Sequence, residues 1–379
     1  MQRFFQSMRE YLRNIDKLLL FLCLTASIYG LVLIYSATFS YNTVSYVRTQ
    51  AAAAMLGIFA FFLAGAIDYE DIARFWPFVL ALNLAFLSTL YFWGVGDSNR
   101  SWLRFAGVGI QPAELGKIAF ILTFARHLSL AKHTGMRLRD VLGLLVHAGV
   151  TIAFVIFFSR DDGMSLAYAA IALAMAFFAG VGIVYFLAGA AAIGALLPFV
   201  WEKLMDNYQR SRILAVIDPE AYPDASYQAM HSRMAIRSGG LFGEGFLSGT
   251  QTQYSLIPTK HTDSIFPVAC EEFGLLGAVA VVILLLLILV CIVRTALQAR
   301  TDTSALICIG VAAMLAFQTI LNLGMNLGIF PIVGLTLPFF SYGGSSILTM
   351  FTAAGMVSGI RRQSRRDAAH FAYYIRRYT

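Results

Sequence analysis

The chain has 379 residues, of which 59% are hydrophobic and only 13% charged, with a net charge of +7 and a mean hydropathy of +0.71. Such a composition excludes an ordinary soluble domain, and four cysteines with no paired spacing imply neither a disulfide framework nor a zinc site. The positive balance is assigned to a membrane edge facing anionic lipids, not to a nucleic-acid partner.

Roughly 18 to 25 apolar residues cross about 30 Å of hydrocarbon as helix, and ten such runs follow one another. They occupy 17–37, 47–67, 74–94, 112–130, 140–159, 164–180, 181–200, 264–293, 303–325 and 345–361. The expected fold is therefore all-α, a single polytopic membrane domain over 1–379 with about ten transmembrane helices. The first run is too long for the apolar part of a secretory signal and is expected to stay attached. Only AGVG at 179–182 separates runs six and seven. Charge favours two helices there: with ten spans and an inside N terminus, most Lys and Arg residues fall in short inside loops and the basic tail, among them Arg3, Arg9, Arg74, Arg126, Arg137, Arg294, Arg361, Arg376 and Arg377. Merging the two would place that tail outside.

One long external loop, 201–263, lies between helices seven and eight. Its aromatic residues and a helix-like stretch near 226–237 argue against disorder. It is expected to fold back on the membrane face.

Polar residues carry the functional signal, because an ionisable group at the bilayer centre costs about 2.5 to 3.5 kcal/mol on insertion scales. In QPAELGK, Gln111 and Pro112 open the fourth span, and Glu114 and Lys117 follow one turn apart on one face; a plain helix start with a local ion pair would look the same. SRDDGMS places Asp161 and Asp162 before the sixth span, where either can cap the helix. RSGGLFGEGFLSGTQ, 237–251, offers either backbone N–H groups for a phosphate or a plain series of turns. PTKHTDSIFPVACEE, 258–272, sets Lys260, His261 and Asp263 before the eighth span, with Thr262 or Asp263 able to cap it. LPFFSYGGSS puts Ser341, Tyr342, Gly343, Gly344, Ser345 and Ser346 at the start of the last span, as an anion-holding helix terminus or as caps. All five clusters map to the external face, and convergence of polar groups on one face of a bundle marks a site.

GLTLPFFSYGGSS, QPAELGK and LIPTKHTDSIFPVACEEFGLLG, in a chain of ten spans, resemble the SEDS family of peptidoglycan polymerases over nearly the whole length. AIRSGGLFGEGFLSGTQTQ is more similar to the RodA branch, which serves cell elongation and shape, than to the FtsW branch of division; a sporulation paralogue is the other alternative. The chain departs from the family at Arg160-Asp161-Asp162-Gly163, where Pro-Asp-Leu-Gly is usual, and at Ser264, where Phe is commoner. The resemblance implies an inverting glycosyltransferase of the bacterial cytoplasmic membrane, both termini inside, that joins lipid II into glycan strands on the external face. It implies Asp263 as base and a class B penicillin-binding protein, a transpeptidase, as partner. Glu114, Lys117, Asp161, Lys260, Ser341, Tyr342, Gly343, Gly344 and Ser345 are the further candidate substrate-binding residues. Leaving-group charge is open to neutralisation by Lys117, by Arg210, Arg212 or Arg237, or by a divalent cation (Mg or Mn) near Glu114 and Asp161. A lipid II flippase is the rival reading, but two related halves are not visible, and the span centres are apolar apart from Gln318, Asn322 and Asn326.

Overall fold

The computed structural model describes residues 13–41, 43–96, 100–105 and 108–378. Arg3 and Arg9 lie outside the described residues, as do the side chains of Arg376 and Arg377. In hydrocarbon every backbone polar group must be satisfied within its own segment, so apolar runs fold as helices. In chain order these are α1 (Lys17–Ala37), α2 (Thr43–Ala66), the short α3 (Tyr69–Arg74), α4 (Trp76–Trp93), α5 (Pro112–His133), α6 (Leu138–Phe154), α7 (Asp162–Ala179), α8 (Ile183–Phe199), α9 (Asn207–Ile217), α10 (Pro223–Ser238), α11 (Thr250–Gln253), α12 (Ile265–Leu297), α13 (Asp302–Asn326) and α14 (Gly344–Tyr378). Wider turns prolong α6 to Ser159 and α8 to Leu204. A small antiparallel hairpin, β1 (Leu103–Phe105) with β2 (Val108–Ile110), precedes α5.

Eight of these helices are long and apolar enough to cross a membrane. The fourth and tenth expected spans are helical as well, as α5 and the first part of α14, and α7 and α8 are separate helices as the charge distribution requires. The first and last spans are joined at one end: Asp16 caps α1 by accepting from Leu19 N at 3.2 Å, pairs with Arg361, and donates its own N–H to Ser358 Oγ at 3.0 Å. α14 packs along α2 at backbone distance, since a Cβ on Gly355 would lie 2.4 Å from Phe61 O. Small residues at such contacts let helices approach in lipid. α8 differs from all of these, having no buried residue along its length.

The long loop is more ordered than its sequence announces. It forms α9, α10 and α11, and α10 rests on α12 and α13. Its anchor is a break in α12 at Gly274, whose φ of 64° and ψ of −157° suit only glycine. The glycine loop enters that break: Glu244 N and Gly245 N donate to Glu271 O and Glu272 O at 2.8 and 3.2 Å, and Leu275 N donates to Gly240 O at 2.9 Å. These N–H groups complete the broken helix's hydrogen bonding, so the stretch serves as a docking loop rather than as a phosphate cradle.

Candidate active site at the Asp263 pole

Asp263 precedes α12, yet it does not cap it. Ser264 occupies the cap position without a side-chain bond, and Thr262 Oγ1 donates to Thr259 O instead. The backbone around Asp263 is fixed from two sides. Asn322 Nδ2 and Asn326 Nδ2 of α13 donate to Asp263 O at 2.8 and 2.9 Å, and Asn322 also reaches Leu335 O at 2.7 Å. Ser341 Oγ donates to Thr262 O at 2.5 Å, while Tyr342 N donates to His261 O at 2.8 Å. The side chain, by contrast, makes no hydrogen bond among the described residues. Its Oδ2 faces Gly334, where a Cβ would lie 3.7 Å away. Burial pushes the carboxyl up to about 6, helped by the charge of Asp161 and opposed by Arg212.

Asp161 caps α7 through Met164 N at 2.9 Å and turns its other oxygen to Gln111 Nε2 at 3.1 Å and Ser101 Oγ at 3.5 Å. Gln111 N in turn donates to Ser345 Oγ at 3.0 Å, so one carboxylate joins α7, α5 and the start of α14. Burial pushes Asp161 up to about 6 as well, against the Met164 hydrogen bond and with Glu114 adding to the rise. Asp162, its neighbour, is exposed and accepts from Gln209 Nε2 of α9 at 2.8 Å. The two adjacent acids thus divide: Asp161 faces in and Asp162 faces out.

Glu114 and Lys117 pair at 2.9 Å with exposures of 1% and 0%, inside the protein and away from lipid. Neither Glu114 oxygen nor Lys117 Nζ has a further hydrogen-bond partner among the described residues. A buried pair normally needs added hydrogen bonds to offset desolvation, and this one has none among the described residues. Lys117 also lowers Asp161, which places the pair's field at the same site.

Other sequence candidates are engaged elsewhere. Arg210 donates to Glu202 O and Met205 O at 3.1 and 2.9 Å, closing the turn after α8, and Arg237 is exposed at the end of α10. Lys260 binds Thr252 O at 2.5 Å and Ser255 Oγ at 3.0 Å and lies 5.2 Å over the Tyr41 ring. Burial pushes it down to about 8. Gln50 of α2 clasps the last span's entry, donating to Ser341 O at 3.1 Å and accepting from Gly343 N at 3.0 Å; Gly344 opens α14 beside it. Tyr342 packs edge-on against Tyr46 and at a tilt against His261. Gln50 and Ser101 have no sequence signal of their own. Asn322 and Asn326 stand out only as rare polar residues in an apolar span. Among the described residues, no three His, Cys, Asp or Glu side chains group as a metal site.

Residues 16–366 match the cell cycle protein family FTSW_RODA_SPOVE. A probable peptidoglycan glycosyltransferase FtsW of Geobacter metallireducens is 30% identical, covering 91% of this chain and 94% of the relative. The peptidoglycan glycosyltransferase MrdB of Escherichia coli K12 is 29% identical over 92% and 93%, and stage V sporulation protein E of Bacillus subtilis 31% over 92% and 98%. Among solved structures, a chain of a peptidoglycan synthase complex that coordinates polymerisation and crosslinking superposes with a TM-score of 0.79 at 28% identity, covering 92% of this chain and 98% of that one. A point mutant of the rod shape determining protein RodA of Thermus thermophilus superposes with a TM-score of 0.69 at 25% identity and the same coverage.

Proposed function

The chain belongs to the FtsW, RodA and SpoVE family and is a multi-pass membrane peptidoglycan glycosyltransferase, and we propose that its chemistry centres on Asp263. The observation that carries this reading is a contrast within one residue: the Asp263 backbone is fixed by Asn322 and Asn326, while its carboxylate is uncommitted and raised to about 6. A general base works best with a pKa near the operating pH and needs a free lone pair aimed at the proton it takes. Asp263 removes the proton of the acceptor sugar hydroxyl as that oxygen attacks the anomeric carbon of the lipid II donor. The polyprenyl pyrophosphate leaves from the opposite face, so an α-linked donor gives a β-linked glycan.

Lys117 and Arg212 supply positive charge to the leaving pyrophosphate. Asp161 orders the site through Gln111 and Ser345. A divalent cation, Mg or Mn, near Glu114 and Asp161 is part of the proposal, in the manner of sites that use one or two carboxylates and take the rest from substrate phosphates. When bound, the ion would supply further neutralisation of the pyrophosphate.

In the proposed orientation the Asp263 pole is external and both termini are cytoplasmic, supported by Arg74, Arg126, Lys132 and Arg300 at the opposite ends of the spans. A class B penicillin-binding protein is the proposed partner, since the similar chain of solved structure comes from a complex that couples polymerisation with crosslinking. The glycine-loop motif supports the RodA-type role in elongation. The test is polymerisation of labelled lipid II by Asp263→Asn with the partner present. Loss of polymer with lipid II binding retained is expected, and a rate near wild type would reject Asp263 as base.

A further inference from the structure

At the pole opposite Asp263, a cavity of about 440 Å³ opens between α3, α5 and the turn into α13. Arg126 and His133 reach it from α5, Arg74 from α3, and Arg300 from the residues before α13. On α5 the spacing of Arg126, Ser129 and His133 puts all three on one helix face. Two acids, Glu70 and Asp302, share the wall, and both are engaged: Thr301 Oγ1 donates to Glu70 Oε1 at 2.5 Å, and Lys132 Nζ pairs with Asp302 Oδ1 at 2.6 Å. Arg126 is half-buried and has no ion pair among the described residues. Three arginines thus face two acids: Asp302 is paired with Lys132, Glu70 keeps its charge, and Arg74 also lies 3.6 Å from Asp71.

The α13 N terminus adds to this, because its first turn lines the same cavity through Thr301, Asp302 and Thr303. Thr301 Oγ1 caps Ser304 N at 3.2 Å, and the N–H groups ahead of it in the first turn favour an anion. Guanidinium groups present a planar fork that matches phosphate oxygens. The cavity lies in the size range of small-ligand sites, large enough for a headgroup around the phosphate. We propose that this cavity binds a phosphate group, carried by an anionic phospholipid headgroup or by a soluble phosphate. A basic pocket between membrane helices at one face is the form such lipid sites take. Nothing in the glycosyl-transfer chemistry at the other pole uses these residues.

The test uses the full-length protein in neutral detergent with two probes. Sodium pyrophosphate is titrated against thermal unfolding, and phosphatidylglycerol, set against phosphatidylcholine, is titrated by native mass spectrometry. Arg126→Gln is expected to weaken binding by about 10- to 100-fold, the worth of one charged hydrogen bond. Glu70→Gln, which removes a repelling charge yet still accepts from Thr301, is expected to strengthen it. Unchanged polymerisation by both variants confirms that they fold. Selective retention of phosphatidylglycerol that Arg126→Gln weakens assigns a lipid headgroup, and stabilisation by pyrophosphate that Arg126→Gln weakens assigns a soluble ligand; either supports the site, whereas pyrophosphate binding at the Asp263 pole would be indifferent to that change. The proposal is overturned if neither probe binds, or if both variants bind as the wild type does.

Discussion

Asp263 and Glu271 stand eight residues apart at the entry to one helix, carry the same functional group, and meet opposite fates. Glu271 is 0% exposed, and its oxygens accept from Gln251 N at 2.7 Å, Thr252 N at 2.9 Å and Thr252 Oγ1 at 2.6 Å. It holds α11 and, through it, the end of the long loop. Asp263 has a fixed backbone and an unpartnered carboxylate. The lesson is that saturation, more than burial, separates a structural acid from a chemical one. An acid with its lone pairs filled by N–H donors has no place for a substrate proton.

The largest expected effect breaks the comparison at its chemical end. Asp263→Asn should lower polymerisation by about 10²- to 10⁴-fold, while the melting temperature holds or rises because a desolvated charge is removed. Retention of more than a tenth of the rate would mean that the free carboxylate is not the base. Gly274→Ala attacks the frame both acids share: a Cβ there lies 2.4 Å from Gly243 N in a backbone region closed to alanine. A loss of about 3 kcal/mol is expected, seen as lower yield and melting temperature and as early proteolysis near residues 239–249. Glu271→Gln should cost about 1 to 3 kcal/mol and loosen the loop to proteolysis, with the rate per folded molecule much less affected than in Asp263→Asn. Equal catalytic loss in the two variants would erase the distinction.

The pH profile gives the mildest and sharpest test. With Asp263 at about 6, kcat/KM should rise about tenfold per unit below that value and flatten above it. The stability effect has the opposite sense. A carboxyl raised in the folded state contributes stability below its unfolded pKa, near 3.8, and loses it as pH rises through about 6. In Asp263→Asn the rate limb should vanish and the stability slope should lessen, leaving the part due to Asp161.

The membrane helices were legible because apolar length alone specifies them. The site was legible in part: Asp263, Glu114, Lys117 and Asp161 stand out as charges beside apolar runs. Their division of labour was not, since nothing local distinguishes Asp161 from Asp162 or tells which Arg of the loop is engaged. Arg210 is taken by carbonyls made available by the turn after α8, a contact that only the folded chain creates. α9 was not anticipated, although Asp206 and Gln209 form a capping box at its start. The docking of the glycine loop into the α12 break was hidden. It depends on two segments that are each unremarkable turns or helix until they meet.

α8 leads to a different kind of conclusion. A helix with no buried residue packs little against its neighbours among the described residues, Phe186 against Phe177 being one contact, so the individual identities of most of its side chains carry little information. Leu, Ile, Val, Ala and Phe are interchangeable there as long as the segment stays apolar and long enough to cross. Selection within this chain acts on its composition and length, position by position only weakly. Sequence drift should accordingly be fastest along residues 183–199 and slowest on the buried faces of α13 and of α14 up to Ile360, where a substitution meets a packed partner. For anyone inferring ancestry within the family, α8 is a record that overwrites itself.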